Sequence, residues 1–252
     1  MSLSRPFRRT CRQFVSGQYD YAGTSMWAYT RHPKFAVAPT QYIRAFLLIQ
    51  KDLQRLFEFI EPAEENLGAY SFRTHELLLR ACVEVEANCK AILLENGYLK
   101  PKGYLDMSDY KKLNATHRLS SHEVTMPVWS GASRVRKPFE AWAMGESLPW
   151  YEAYNASKHD RALGFHRANF EHTIDAVAGL LVVLSAQFHT DDLTPARSLK
   201  WKPGEKYDGT EGGIGGYFQV RFPTDWPEED RYEFIWHLMM SETDPFAQLT
   251  FA

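Results

Sequence analysis

The residues between Trp150 and Arg161 could carry acid–base chemistry on a phosphate group. Their sequence is WYEAYNASKHDR. If this segment is helical, Lys158 and His159 follow Asn155 by three and four residues, so the amide, ammonium and imidazole groups share one face. A neutral His accepts a proton near neutral pH, and a neighbouring cation stabilises the charge that develops on a phosphate. RNA cleavage through the substrate's own 2′-hydroxyl has these requirements and needs no protein nucleophile.

The same polar residues also have a structural interpretation. Asn155 and Asp160 would hydrogen-bond to the backbone, while Lys158 and Arg161 would contact solvent or glutamates. His159 would then cap a polar network. A polar set this dense is costly to place against a core without such partners. Residue types alone leave both interpretations open.

Other catalytic motifs are not found in the sequence. The glycines of 212–216 have no Gly-Lys-Ser/Thr, no preceding strand and no following helix, so they indicate a turn rather than a phosphate loop. His159, His166 and His172 form no His-Glu-x-x-His pattern, and the chain has no Gly-x-Ser-x-Gly nucleophile motif. We therefore expect neither a metal ion nor another cofactor.

The three cysteines have no metal-binding spacing. Cys82 and Cys89 are seven residues apart on a predicted helix, hence on one face, which favours buried thiols. With Cys11 they make an odd number without a disulfide framework, which is typical of a reducing compartment. We therefore expect a cytoplasmic protein.

Composition indicates a globular protein of 252 residues, with 44% hydrophobic and 24% charged residues. The formal net charge of −2 gives no overall attraction to nucleic acid or membrane, so an anion site must come from a local patch. Arginines at positions 5, 8, 9 and 12 either extend such a patch or belong to a solvated arm. No signal-peptide apolar stretch follows them, and the longest apolar run, 174–184, is too short to span a bilayer.

Hydrophobic spacing predicts two long helices in the first half of the chain. Apolar residues recur every three or four positions over 39–60, with a proline just inside the start and another just past the end. A second helix is predicted from about Ser71 to Glu95, stopped by Asn96-Gly97. Opposite its apolar face lies a polar column, either a solvated stripe or one wall of a site, formed by Glu76, Arg80, Glu84 and Asn88.

The second half of the sequence is less regular. A short helix capped by Ser108 is predicted over 108–119, a loop or short hairpin over 124–132, and a short helix from 138. A helical stretch then starts near Trp150, bends or breaks around Gly164 and continues to about 188. Residues 217–222 alternate like a strand, and 228–240 could be strand or helix.

These elements predict a mainly α fold in three parts. Residues 1–37 form an N-terminal arm packed on the domain, and 38–190 form the helical domain. Residues 191–252 form a C-terminal extension with one or two short strands, a small β appendage.

One long helix carries RTHE…R…EVE…K over 73–90 and precedes YNASKHDR at 154–161 and a final apolar helix. This order of parts resembles the HEPN superfamily, small helical bundles of prokaryotic defence and toxin systems. The resemblance covers about residues 40–190. Many members are metal-independent RNases that act as dimers, whereas others are non-catalytic RNA-binding or protein-interaction modules.

The family motif is an Arg followed after four to six residues by a His, commonly with a polar residue directly after the Arg. Asn155 and His159 match the polar residue and the His, while Tyr154 occupies the Arg position. Arg161 and His166 have the permitted spacing, but no polar residue follows the Arg, and the two converge only if the helix breaks between them. Two assignments of the motif are therefore open.

The resemblance implies a HEPN-like bundle that acts on RNA, is a homodimer and, if catalytic, is a metal-independent endoribonuclease of a phage-defence or toxin system. His159 would be the general acid or base, Lys158 or Arg161 would stabilise the phosphate, and Asn155 would orient the substrate or His159. The residues expected around the substrate are Tyr154, Asp160, His166, Glu84 and Arg80.

The alternative is a non-catalytic interaction or dimerisation module. In that case the polar residues of 154–161 hold the last helix against the second helix and stabilise a dimer or a partner interface. A third class is a small-molecule binder, in which the aromatic residues of 129–151 line an apolar pocket.

Overall fold

The computed structural model describes residues 7–10, 36–100, 102–126, 128–129 and 131–188, with the strand residues 211–212 and 219–220. The described part of the chain is mainly helical, as the sequence predicts. Most of the arm with Cys11, and most of the extension with 228–240, lie outside the described residues.

The helices and strands follow one another in a simple order. In chain order the helices are α1 (Pro39–Leu56), α2 (Phe72–Glu95), α3 (Met107–Tyr110), α4 (Leu113–His117), α5 (Pro149–His159), α6 (Arg161–Gly164) and α7 (Phe170–Phe188). Short 3₁₀ turns occur at Glu64–Asn66, Leu119–Ser121, Ala132–Arg134, Glu140–Met144 and Phe165–Arg167. The strands are β1 (Val124–Thr125), β2 (Val135–Arg136), β3 (Glu211–Gly212) and β4 (Gln219–Val220).

The ends of α2 are those that its sequence predicts. Ser71 and Thr74 form a reciprocal capping box at the start, in which each side chain accepts a hydrogen bond from the other residue's backbone N–H. At the end, Gly97 has a φ of 79° and Tyr98 N donates to Leu93 O at 2.9 Å, as in a Schellman motif. Both caps are local, so they can be identified without knowledge of the tertiary structure.

Helix α1 starts at Pro39 as predicted but ends at Leu56 rather than Ile60. Residues 57–60 form turns, although Ile60 N still donates to Leu56 O at 2.9 Å. The apolar spacing continues beyond the helix because Phe57 and Ile60 still pack against the core. Hydrophobic periodicity therefore marked the extent of core contact rather than the end of the helix.

The core lies between α2 and α7, which pack along each other, with α1 and α5 against both. Leu78, Leu180 and Val183 are fully buried there. Cys82 and Cys89 are fully buried free thiols on the same face of α2, which confirms the prediction made for them. Burial raises the pKa of both thiols, so neither is a reactive thiolate at neutral pH.

The segment after α2 differs from the prediction. Two short helices, α3 and α4, replace the single helix expected over 108–119. The residue that caps α3 is Asp106 rather than Ser108. The Asp106 carboxylate accepts a hydrogen bond from Ser108 N at 2.9 Å, and Asp106 N donates one to the Asp109 carboxylate at 3.0 Å. Lys100 fixes this turn, since its Nζ lies 2.8 Å from the Asp109 carboxylate. An acidic capping box two residues earlier outcompetes the serine.

The predicted loop or hairpin over 124–132 is part of a small antiparallel hairpin, in which Val124 of β1 is opposite Arg136 of β2. The Arg136 guanidinium binds Asp175 of α7 with two hydrogen bonds of 2.6 and 2.8 Å. Because this bidentate pair is largely buried, it fixes the hairpin to the final helix.

Arg9 is buried rather than solvated. Its side chain has 0% exposure, and its Nε lies 2.7 Å from the Glu95 carboxylate. Nη1 donates to Gln187 at 3.0 Å, and the guanidinium lies 4.8 Å from the ring centroid of Tyr42. The sequence predicted that this arginine lies either in a solvated arm or in an anion-binding patch, and both predictions are wrong. Its guanidinium instead contacts residues of α1, α2 and α7.

β3 and β4 pair in antiparallel fashion, with Glu211 opposite Val220, and β4 falls within the segment predicted as a strand. Within the described residues, no helix combines the length and apolar character needed to cross a bilayer.

Candidate functional site

Helix α5 presents one buried face and one exposed face. Pro149 is its first residue, where the missing N–H costs nothing. Trp150, Ala153, Tyr154 and Ser157 are buried, and Trp150 Nε1 donates to Pro138 O at 2.7 Å. The buried face fixes the helix, so polar residues on the opposite face are held in place.

Two tyrosines connect α5 to its surroundings. Tyr151 Oη donates to the carboxylate of Glu86 on α2 at 2.8 Å, and Tyr154 Oη accepts from Lys158 Nζ at 3.0 Å. Burial, then the hydrogen bond with Glu86, raises the pKa of Tyr151, and burial raises the pKa of Tyr154. The hydrogen bond with Tyr154 raises the pKa of Lys158. At neutral pH both phenols are therefore protonated and Lys158 is a cation.

The three groups of the predicted chemistry lie on one helix, as the sequence predicts. Asn155 is half-exposed, and Lys158 and His159 are exposed in the last turn of α5. The Lys158 ammonium is directed towards the hydroxyl of Tyr154, whereas no hydrogen bond within the described residues engages the side chain of Asn155 or His159. The exposed face of α5 can contact a phosphodiester without rearrangement of the core.

The helix breaks at Asp160, four residues before the predicted position. Asp160 leaves the helical conformation, and its carboxylate accepts from Leu163 N at 3.2 Å, which caps α6. Gly164 marks the second bend, because α6 ends there against α5. A methyl group at Gly164 would lie 2.7 Å from the carbonyl oxygen of Ala156, so this close approach requires glycine.

The residues of the other motif assignment lie after this break. Arg161 and His166 are both exposed, the first in α6 and the second in the 3₁₀ turn that follows. The Arg161 guanidinium lies 5.8 Å from the ring centroid of Phe72 at the start of α2. Arg161 is therefore a cation beside an aromatic ring.

The polar column of α2 is not one continuous stripe. Arg80 forms an ion pair of 2.6 Å with Asp52 of α1, next to a groove of about 230 Å³. Burial raises the pKa of Glu84. Asn88 is fully buried and accepts from Gln187 of α7 at 3.0 Å, so its expected place opposite the core is wrong. The column therefore runs from the surface at Arg80 to the interior at Asn88, where α7 lies against it.

Glu86 is the acidic residue of α2 that contacts α5, and the sequence interpretation selected Glu84 instead. The available signal was its spacing, since Glu86 follows Cys82 by four residues and precedes Cys89 by three on the apolar face. A carboxylate on that face predicts a buried partner, here Tyr151.

The described residues contain no group of three or more His, Cys, Asp or Glu side chains arranged to hold a metal ion.

Comparison with family models, curated proteins and solved structures found no match for this chain. The exposed residues in the second half of α5 include an imidazole and an ammonium group, with a half-exposed amide beside them in the sequence.

Proposed function

We propose that this protein is HEPN-like, binds RNA and cleaves it without a metal ion on the exposed face of α5. The observation that carries the proposal is that half-exposed Asn155 and exposed Lys158 and His159 lie within five residues of a helix whose other face is fixed in the core. The resemblance of residues 40–190 to HEPN RNases supports the same reaction.

The reaction uses the 2′-hydroxyl of the substrate as the nucleophile. His159 accepts the 2′-hydroxyl proton, the 2′-oxygen attacks the phosphorus, and the bond from phosphorus to the 5′-oxygen breaks. The products are a 2′,3′-cyclic phosphate and a 5′-hydroxyl, which gains a proton. Lys158 stabilises the charge on the phosphate, and Asn155 orients the substrate. In a homodimer, His159 of the second copy supplies the proton to the leaving oxygen.

The second candidate function is a non-catalytic interaction module. It is favoured by the inward half of the same cluster, since Tyr154 is buried and Tyr151 is bonded to Glu86 of α2. These contacts hold α5 against α2 and are what a structural cluster requires. They leave Asn155 and His159 without a structural role in the described fold, which is why we prefer the first candidate.

Cleavage of a mixed set of labelled RNAs in EDTA tests the proposal. His159→Ala should reduce cleavage by at least about a hundredfold at unchanged stability, because a general acid or base is lost. Arg161→Ala examines the second motif assignment, and His122→Ala, outside the cluster, is the matched control. Products with 2′,3′-cyclic phosphate ends that disappear only in His159→Ala support the proposal.

Two results would contradict it. The first is that the purified wild-type dimer cleaves none of the RNAs. If His159→Ala also lowers the free energy of unfolding by about 1–3 kcal/mol, the residue is structural and the interaction module gains support.

A further inference from the structure

At the start of α2, two exposed aromatic side chains each contact the ring of Phe165. Phe72 is 66% exposed and Tyr70 is 53% exposed, and half-buried Phe165 contacts both. The ring centroids of Phe72 and Phe165 are 4.8 Å apart, and those of Tyr70 and Phe165 are 5.5 Å apart. Tyr70, Phe72 and Phe165 are called the aromatic platform below. Contiguous exposed aromatic surface of this kind is typical of a binding site.

The platform is held by backbone contacts rather than by loose loops. Phe72 is the first residue of α2, directly after the capping residue Ser71. Tyr70 forms an antiparallel bridge with Asn169, and the backbone N–H of Phe170 donates to Ala69 O at 2.7 Å. The backbone that carries Tyr70 and Phe72 is therefore already ordered before a ligand stacks on the rings.

The platform is next to the exposed face of α5. Gly164 lies against the backbone of Ala156 and Ser157, and Phe165 follows it directly. The 3₁₀ turn that carries Phe165 thus packs against α5, the helix that ends with Lys158 and His159.

An arginine contacts the platform. The Arg161 guanidinium lies 5.8 Å from the ring centroid of Phe72, and Arg73 and Arg167 are exposed and close to Phe72 and Phe165 in the sequence. Glu76 pairs with Arg73 at 3.2 Å, and the Asp160 carboxylate caps α6. The surface therefore combines flat aromatic faces with the guanidinium of Arg161, for which no ion pair occurs within the described residues.

We propose that the aromatic platform stacks unpaired bases of a single-stranded RNA whose phosphates contact Arg161. Stacking requires the faces of splayed bases, which a duplex does not offer, and the cations match the phosphates. A purely apolar partner would use the rings but not the arginines. The inference deepens the proposed function by naming the substrate class, and it rests on that function for the cleavage step only.

Binding of the full chain to a 2′-O-methyl RNA of about 12 nucleotides tests the platform, because this strand cannot be cleaved through its 2′-oxygen. Fluorescence anisotropy gives the Kd. Phe72→Ala should weaken binding about tenfold or more, since stacking on one ring is lost. Phe72→Trp should keep binding within about threefold, and Phe72→Leu should behave like Phe72→Ala because leucine has no π face. Arg161→Ala should weaken binding and lower its salt dependence.

Tyr104→Ala is the matched control, because Tyr104 is 95% exposed and lies beyond the other end of α2. Phe72 is exposed, so its variants should keep the wild-type thermal midpoint, which is checked by circular dichroism. A Phe72→Leu variant that binds like wild type overturns the proposal, as does equal affinity for a duplex of the same sequence or no binding by wild type.

The two proposals can fail separately. If wild type binds the uncleavable strand through Phe72 but cleaves no ordinary RNA, the cleavage proposal fails and the platform stands. If His159→Ala removes cleavage while Phe72→Ala leaves both binding and cleavage unchanged, the platform proposal fails and the cleavage proposal stands.

Discussion

Arg9 and Gln187 are 178 positions apart in the sequence, and Nη1 of Arg9 donates a 3.0 Å hydrogen bond to Oε1 of Gln187. Nε2 of the same Gln187 donates to Asn88, which is fully buried in α2. One guanidinium thus connects a segment near the N-terminus to the last residues of α7 and, through an amide, to the middle of α2. The N-terminal segment 7–10 is therefore part of the packed helical body.

Arg9→Ala should lower the free energy of unfolding by about 3–5 kcal/mol, because it leaves the charge of Glu95 and the amide of Gln187 without their buried partner. Arg9→Lys should restore only part of this loss, since one ammonium cannot replace a planar guanidinium that bonds to several groups. Urea denaturation measures both. Arg44→Ala, at an exposed position on α1, is the control. If Arg9→Ala lowers the unfolding free energy no more than this control does, Arg9 does not fix segment 7–10 to the helices.

Gly164→Ala should destabilise the fold by about 1–3 kcal/mol, because its methyl group would lie 2.7 Å from Ala156 O and the backbone must shift. The same shift should displace Phe165 and weaken binding on the aromatic platform. Gly68→Ala is a matched control, since nothing lies within 4 Å of the added methyl group. Equal thermal midpoints for the two variants would contradict the close packing of α6 on α5.

Tyr151→Phe should cost about 1–3 kcal/mol of unfolding free energy, because the half-buried Glu86 carboxylate loses its donor. The raised pKa of Tyr151 keeps the phenol protonated, so the cost should be the same across neutral and mildly alkaline pH. Thermal denaturation at several pH values measures this, with Tyr104→Phe as the exposed control. If RNA cleavage is unaffected once stability is matched, Tyr151 acts on the fold alone.

Acid should weaken the segment between α2 and α3. The hydrogen bond from Lys100 holds the pKa of Asp109 below its ordinary value of 3.8. Because the folded-state pKa is lower than the unfolded one, the ionised carboxylate stabilises the fold at neutral pH. That contribution is lost as the pH falls from about 4 through the folded-state pKa.

The urea midpoint of wild type should therefore fall more steeply, as the pH is lowered below about 4, than that of Asp109→Asn, which lacks this carboxylate. Glu58→Gln, at an exposed position, should follow wild type. Parallel pH curves for wild type and Asp109→Asn would show that the contact with Lys100 does not favour the ionised form.

The sequence alone determined the features that depend on near neighbours. These features are all set within about one or two helical turns. They are the start of α1, both ends of α2, the common face of Cys82 and Cys89, and the shared helical face of Asn155, Lys158 and His159. Helical periodicity and caps act over that range. The cap at Asp106 was missed because two candidate capping residues compete within three positions.

Only the tertiary structure decided which polar groups become partners. Arg9 is buried because Glu95 and Gln187 lie opposite it, and Glu86 rather than Glu84 meets α5 because of how α2 is rotated. The aromatic platform joins two parts of the chain that are far apart in sequence, around positions 70 and 165. Burial of a charge, or contact between exposed rings, depends on groups from distant segments, and no local pattern specifies those.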